Sequence, residues 1–160
     1  MIRLQPYGKA SDRVLIEPDV LTRLETYRQI CIDAPESGGI FLGYRRGEHL
    51  HVVDLTEPHA PDRRLRFGFH RHADYHRKVA ILKWEKSGCA MDYIGEWHTH
   101  PELNPTPSAV DIRNWRAITL DRPNPMVFLI VGIRTVWLGV GKGATYRTAQ
   151  PIAGVEVKFI

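Results

Sequence analysis

Cysteine is scarce in this chain of 160 residues, which has only Cys31 and Cys89. Their spacing fits neither a disulfide framework nor a cysteine-ligated metal or redox site, so free, mostly buried thiols of a reducing cytosol are expected. Long apolar runs are missing as well. The longest, from Met126 to Ile133, contains a glycine and falls far short of the roughly 20 residues that span a bilayer. The N-terminus lacks a basic-then-apolar signal pattern. No internal repeat or low-complexity tract is visible, and glycine and proline fall at element boundaries instead of forming a linker. These absences point to a cytoplasmic protein of one domain, residues 1–160, with no membrane partner.

Acidic excess is also absent. The formal net charge is +4, and 16 of the 22 basic residues are arginine, the side chain suited to forked contacts with carboxylates or phosphates. Arg63, Arg64, Arg66, Arg71, Arg77 and Lys78 cluster in one stretch. No nucleic-acid motif accompanies them, so no nucleic-acid partner is expected. A solvated face is the plain reading, and docking of an acidic partner or protein tail is the functional alternative.

Hydrophobic periodicity gives an α/β order. Val14 to Glu17 reads as a strand and Asp19 to Ile32 as a helix. Gly39 to Arg45 and Leu50 to Thr56 read as strands joined by a turn at Arg46-Gly47-Glu48. Leu65 to Phe69 reads as another strand, and His72 to Lys86 as a helix with Tyr75, Val79 and Leu82 on its apolar side. Tyr93 to His98 has the aromatic and β-branched content of a strand. Met126 to Val131 and Thr135 to Val140 make a hairpin, and Val155 to Ile160 a final strand. This order suggests a mixed β-sheet flanked by helices.

The chemistry concentrates between His98 and Asp111. His98-Thr99-His100-Pro101 is followed, six residues on, by Ser108-Ala109-Val110-Asp111. On a strand, residues two apart share a face, so His98 and His100 can address one ion. Pro101, Pro105 and Pro107 keep the next segment extended. Ser108 then opens a helix carrying Ile112, Trp115 and Ile118, with Asp111 in its first turn, within reach of the histidines. Three nitrogen or oxygen ligands with a fourth position open to water are what a catalytic zinc site needs, whereas structural sites close the tetrahedron. Taken alone, Ser108-x-x-Asp111 also reads as a helix-capping box. His70, His72 and His76 lack the carboxylate pattern of a second metal site and are expected on a solvated or substrate-facing surface. His49, His51 and His59 read as ordinary strand and loop residues.

His98-Thr99-His100, seven residues, Ser108, two residues, Asp111 resembles the signature of the JAMM (MPN-domain) zinc metalloproteases. Pro35-Glu36-Ser37-Gly38-Gly39-Ile40-Phe41-Leu42-Gly43 resembles that family's glutamate segment. The resemblance implies a single-domain JAMM/MPN (cytidine deaminase-like) α/β fold and one Zn2+ per chain held by His98, His100 and Asp111. It implies Glu36 as the general base that takes the water's proton and passes it to the leaving amine, and Ser108 as stabiliser of the oxyanion. Glu96, two residues before His98 and on its side of the strand, is a competitor for the base. Glu36 is preferred because its Glu-x-Gly-Gly context matches the family.

The compact chain looks like the stand-alone bacterial JAMM peptidases, some of which occur in antiphage operons. The implied substrate is a protein whose extended C-terminal tail is conjugated to a target amine, such as a nucleotidyltransferase conjugate, with the tail added as a strand to a sheet edge. Alternatives are a peptidase maturing a ubiquitin-like sulfur carrier and a non-catalytic MPN scaffold.

Overall fold

The computed structural model describes residues 2–4, 13–47 and 49–148. Its centre is an eight-stranded mixed sheet in the order β1-β2-β4-β3-β7-β8-β9-β10. The strands are β1 (Ile2–Leu4), β2 (Val14–Ile16), β3 (Gly38–Arg46), β4 (His49–Leu55), β7 (Asp92–Thr99), β8 (Met126–Val131), β9 (Val136–Lys142) and β10 (Thr145–Thr148). A separate two-stranded unit pairs β5 (Arg63–Leu65) with β6 (Gly68–His70). The helices are α1 (Pro18–Glu25), α2 (Ala73–Lys86) and α3 (Ala109–Leu120).

β8 shows why the sheet is central. All six residues of Met-Val-Phe-Leu-Ile-Val are buried, as expected of a strand covered on both faces. Val127, Leu129 and Val131 join one core with Val20 and Leu24 of α1. Met126, Phe128 and Ile130 join a second core with Trp115 of α3. α3 links β7 to its parallel neighbour β8, and Trp115 stacks on Phe128 and Trp137 at ring-centroid distances of 4.7 and 5.4 Å. That stack fixes the helix over the sheet.

Several sequence expectations need correction. The helix expected over Asp19 to Ile32 ends at Glu25. Thr26, Tyr27 and Arg28 donate to carbonyls three residues back instead of four, and the tightened turn runs out. Ile30, Cys31 and Ile32 are therefore exposed, and so is Cys89. The thiols are not buried. The strand expected over Leu65 to Phe69 is the β5–β6 hairpin, with Arg66 and Phe67 in its turn. On α2 the buried residue is His76, while Leu82 is exposed. His76 is no surface group: Thr56 Oγ1 lies 2.5 Å from its Nδ1 and Asp62 Oδ2 lies 3.1 Å from its Nε2. The turn before β4 holds Gly47 at a φ of 63°. The strand expected over Val155 to Ile160, like Glu48, lies outside the described residues.

Candidate metal centre and its glutamate

Strand register brings the distant parts together. β3 runs antiparallel to β7 with Gly38 opposite His98, so continuing the register sets Glu36 opposite His100. Beyond the end of the ladder, Thr99 N–H donates to the Ser37 carbonyl at 2.9 Å and His100 N–H to the Val131 carbonyl at 3.0 Å. The buried Thr99 points inward while its neighbours His98 and His100 share the other face. Gly39 admits no side chain, because a Cβ there would run into the carbonyl oxygen of Thr56. A larger residue would push β3, and Glu36 with it, away from the sheet.

His98 Nε2 and His100 Nε2 are 3.0 Å apart, and Asp111 presents Oδ1 at 3.3 Å from the first and Oδ2 at 3.4 Å from the second. Among the described residues this trio forms a group whose donor atoms all lie within 4.8 Å of one another. Four ligands at about 2.0–2.1 Å around a tetrahedral zinc are separated by roughly 3.3 Å, so the spacing fits such an ion. The chemistry of the set, two imidazoles and a carboxylate, fits as well.

Ser108 is the N-cap of α3. Its Oγ accepts from the Asp111 N–H at 3.2 Å and donates to Asp111 Oδ2 at 2.6 Å, while the Ser108 N–H donates to the same oxygen at 2.7 Å. The capping and metal-binding readings therefore coexist: the carboxylate that closes the helix end also faces the histidines. Burial opposes Asp111's charge, yet its contacts with His100 and His98 hold the carboxyl well below the usual range. Burial lowers His100, and the bond to Asp111 outweighs that to raise it.

Glu36 is buried to 6 % exposure, and desolvation pushes its carboxyl up to about 7, with His100, Asp111 and Glu102 as its charged neighbours. Glu96 shares the strand face of His98 but is engaged elsewhere: it pairs with Arg71 at 2.5 Å and accepts from Tyr93 Oη at 2.8 Å. The basic stretch stays largely at the surface, yet several of its members are paired within the chain. Arg64 and Arg66 donate to backbone carbonyls, Arg71 pairs with Glu96, and Arg77 with Asp74. Sequence reasoning passed over Gln29, Arg64 and Thr99, whose bonds run behind the site. An arginine-rich run signals that some arginine has a task; it does not say which.

A histidine pair at a strand end and an aspartate on the crossover helix converge beside a buried glutamate, in a group that could hold a metal ion. The model of the prokaryotic homologues of the JAB domain matches residues 24–144. The chain belongs to this family and has its JAB/MPN fold. It is 43% identical over 126 residues (79% of this chain, 80% of the relative) to a protein of Vibrio cholerae named a CD-NTase/cGAS isopeptidase. It is 39% identical over 128 residues (80% and 81%) to an Escherichia coli protein of the same name. A Sinorhizobium fredii protein named a probable metalloprotease is 29% identical over 109 residues (64% and 66%). A Desulfitobacterium hafniense protein solved in solution superposes with a TM-score of 0.62 at 17% identity, over 86% of this chain and 90% of that one. The chain is thus an enzyme of the peptidase or isopeptidase class, and its family implies a metal cofactor.

Proposed function

We propose that residues 1–160 form one domain acting as a zinc-dependent isopeptidase, with one Zn2+ held by His98, His100 and Asp111. Its substrate would be a bacterial protein, such as a nucleotidyltransferase of the kind in the relatives' names, joined through its C-terminal tail to a target amine. Removal of that protein would serve antiphage defence in the cytoplasm. The observation that carries the reading is the trio with Glu36 buried beside it. Among the described residues no helix is long and apolar enough to cross a membrane.

When bound, zinc would polarise the scissile carbonyl and lower the pKa of water to about 7. Glu36, in its ionised form, accepts a proton from the attacking water and delivers it to the leaving amine. Glu96 is not the base in this reading, because Arg71 and Tyr93 already occupy its carboxylate. Ser108 Oγ, whose proton now points at Asp111 Oδ2, rotates about its Cβ–Oγ bond to donate to the oxyanion. The central position of β3 and β7 leaves the edges of the main sheet away from the site. The β5–β6 hairpin is tied to the Glu36 segment by the bond from Glu36 N–H to Leu65 O, and the substrate tail would lie as an added strand along an edge of that hairpin that this bond leaves open.

The test is cleavage of a CD-NTase attached through its C-terminus to a lysine amine, followed by mass spectrometry of the products. Release of the intact tail by zinc-loaded wild type, lost with His98→Ala and with chelator, is expected. Cleavage of a linear C-terminal extension but not of the lysine-linked conjugate would favour a precursor-maturing peptidase. Failure to bind zinc after reconstitution would sink the enzyme mechanism and leave a binding scaffold.

A further inference from the structure

Glu36 precedes β3, whose ladder with β7 begins only at Gly38. Among the described residues, both hydrogen bonds to its backbone come from β5: Glu36 N–H donates to Leu65 O at 2.7 Å, and Arg64 Nε donates to Glu36 O at 2.9 Å. The same guanidinium donates through Nη2 to Ser37 Oγ at 2.5 Å. Ser37 N–H continues to Thr99 Oγ1 at 3.0 Å, and that hydroxyl donates to Gln29 Oε1 at 3.0 Å. Gln29 Nε2 donates to Ala34 O at 2.9 Å and to Arg66 O at 3.0 Å, which returns the path to the hairpin. The result is a closed circuit from hairpin to glutamate segment, to the threonine between the two histidines, and back.

Gln29, Ser37 and Thr99 are 1%, 1% and 0% exposed. Buried polar groups of this kind persist when they are hydrogen-bonded, and a satisfied network holds its members in one arrangement. The circuit ties the peptide groups on both sides of the Glu36 side chain to the strand that carries His98 and His100. Arg64 forks between Glu36 O and Ser37 Oγ, and two acceptors held by one planar guanidinium fix direction as well as distance.

We infer that Arg64 is a positioning residue for Glu36, holding the carboxylate in register with the metal trio, with Gln29 as the buried member that completes the frame. The inference rests on Glu36 being the base. Arg64 touches the backbone of Glu36 and the side chain of Ser37, so its loss misplaces the carboxylate without removing it. Misplacement by about 1 Å costs on the order of a hundredfold in rate.

The experiment compares wild type, Arg64→Ala, Arg64→Lys, Gln29→Ala and Glu36→Gln, using the lysine-linked CD-NTase conjugate and amide hydrogen exchange of the metal-free protein. Arg64→Ala should lower kcat about 10- to 100-fold with KM within about twofold and zinc content unchanged. Arg64→Lys should recover part of that loss, since an ammonium keeps charge but not the fork. The Glu36 and Ser37 amides should exchange faster in both Arg64→Ala and Gln29→Ala. An unchanged kcat, a raised KM at constant kcat (which would make Arg64 a substrate contact), or unchanged exchange at Glu36 would each overturn the inference. If Arg64→Ala does not fold, Arg64→Lys and Arg64→Gln carry the same comparison. Zinc-loaded wild type that cleaves nothing would count against the isopeptidase reading, while the exchange data would still judge the frame.

Discussion

Glu36 and Asp111 face the same histidine from environments that divide their chemistry. Burial dominates at Glu36, whose carboxyl stands at about 7, while imidazole contacts overcome burial at Asp111. One group is poised to exchange a proton near neutrality and the other stays an anion. Glu36→Gln should retain zinc and lose roughly a hundredfold to ten-thousandfold in kcat, whereas Asp111→Ala should lose the metal; zinc analysis beside steady-state kinetics separates the two. Because the base must be ionised, kcat/KM should fall as pH drops below about 7, with a bound dication moving that limb to lower pH. A pH–rate profile of the zinc enzyme checks the sign. A rate that rises on acidification would exclude Glu36 as the base.

Elements were legible from sequence wherever one periodicity ruled. The buried run of β8, the strand carrying His98 and the helix opened by Ser108 all stand where pattern and capping chemistry put them. Legibility failed where tertiary bonds decided the outcome. The 19–32 stretch keeps a helical pattern, yet past Glu25 its polar groups answer to other partners, Gln29 to Arg66 and Arg28 to Ile133. Residues 65–69 alternate like a strand, but Arg66 is drawn to the Cys31 carbonyl and the chain turns. The trio could be read because its spacing is local, and the route from Glu36 to His100 could not, because it runs through β3–β7 register and the hairpin. α3 also supplies a test of Ser108. Loss of the cap alone in Ser108→Ala should cost about 1 kcal/mol of stability. Loss of an oxyanion donor should also lower kcat by about a hundredfold to a thousandfold. Thermal melts and kcat measured together distinguish these outcomes. At β3, Gly39→Ala should destabilise by about 1–3 kcal/mol, since the new methyl meets the Thr56 backbone; urea titration measures it.

For the whole molecule, the Asp62–His76 pair under α2 sets a response to acid. Burial lowers the pKa of His76 below its ordinary 6.5. At Asp62 burial opposes the charge, but the N–H groups of His59 and His72 hold the carboxyl below its ordinary 3.8. Both folded-state values lie below the unfolded ones, so both contributions to stability are complete above the unfolded pKa and are lost as pH falls. His76 begins to weigh against folding below about pH 6.5 and Asp62 only below about pH 3.8. Glu36 and His100, whose values are raised, push the other way in the metal-free chain. The check is therefore a difference: the urea midpoint of wild type should fall relative to that of His76→Asn as pH drops below about 6.5. Metal removal acts on the same scale. An ion that binds only the folded chain stabilises it by mass action, so chelation should lower Tm in wild type and leave Asp111→Ala unmoved.

The pairing of His100 N–H with Val131 O, and of Ser37 with Thr99 62 residues further along the chain, has a temporal meaning. During synthesis Glu36 emerges long before the histidines, and the histidines before the strand that steadies them. The partly made polypeptide therefore has the ligand-like sequence but not the assembled candidate site until β8 has left the ribosome and docked. In the proposed mechanism, amide cleavage would thus wait on the order in which the sheet can be knitted, and the nascent chain's own extended segments would be spared.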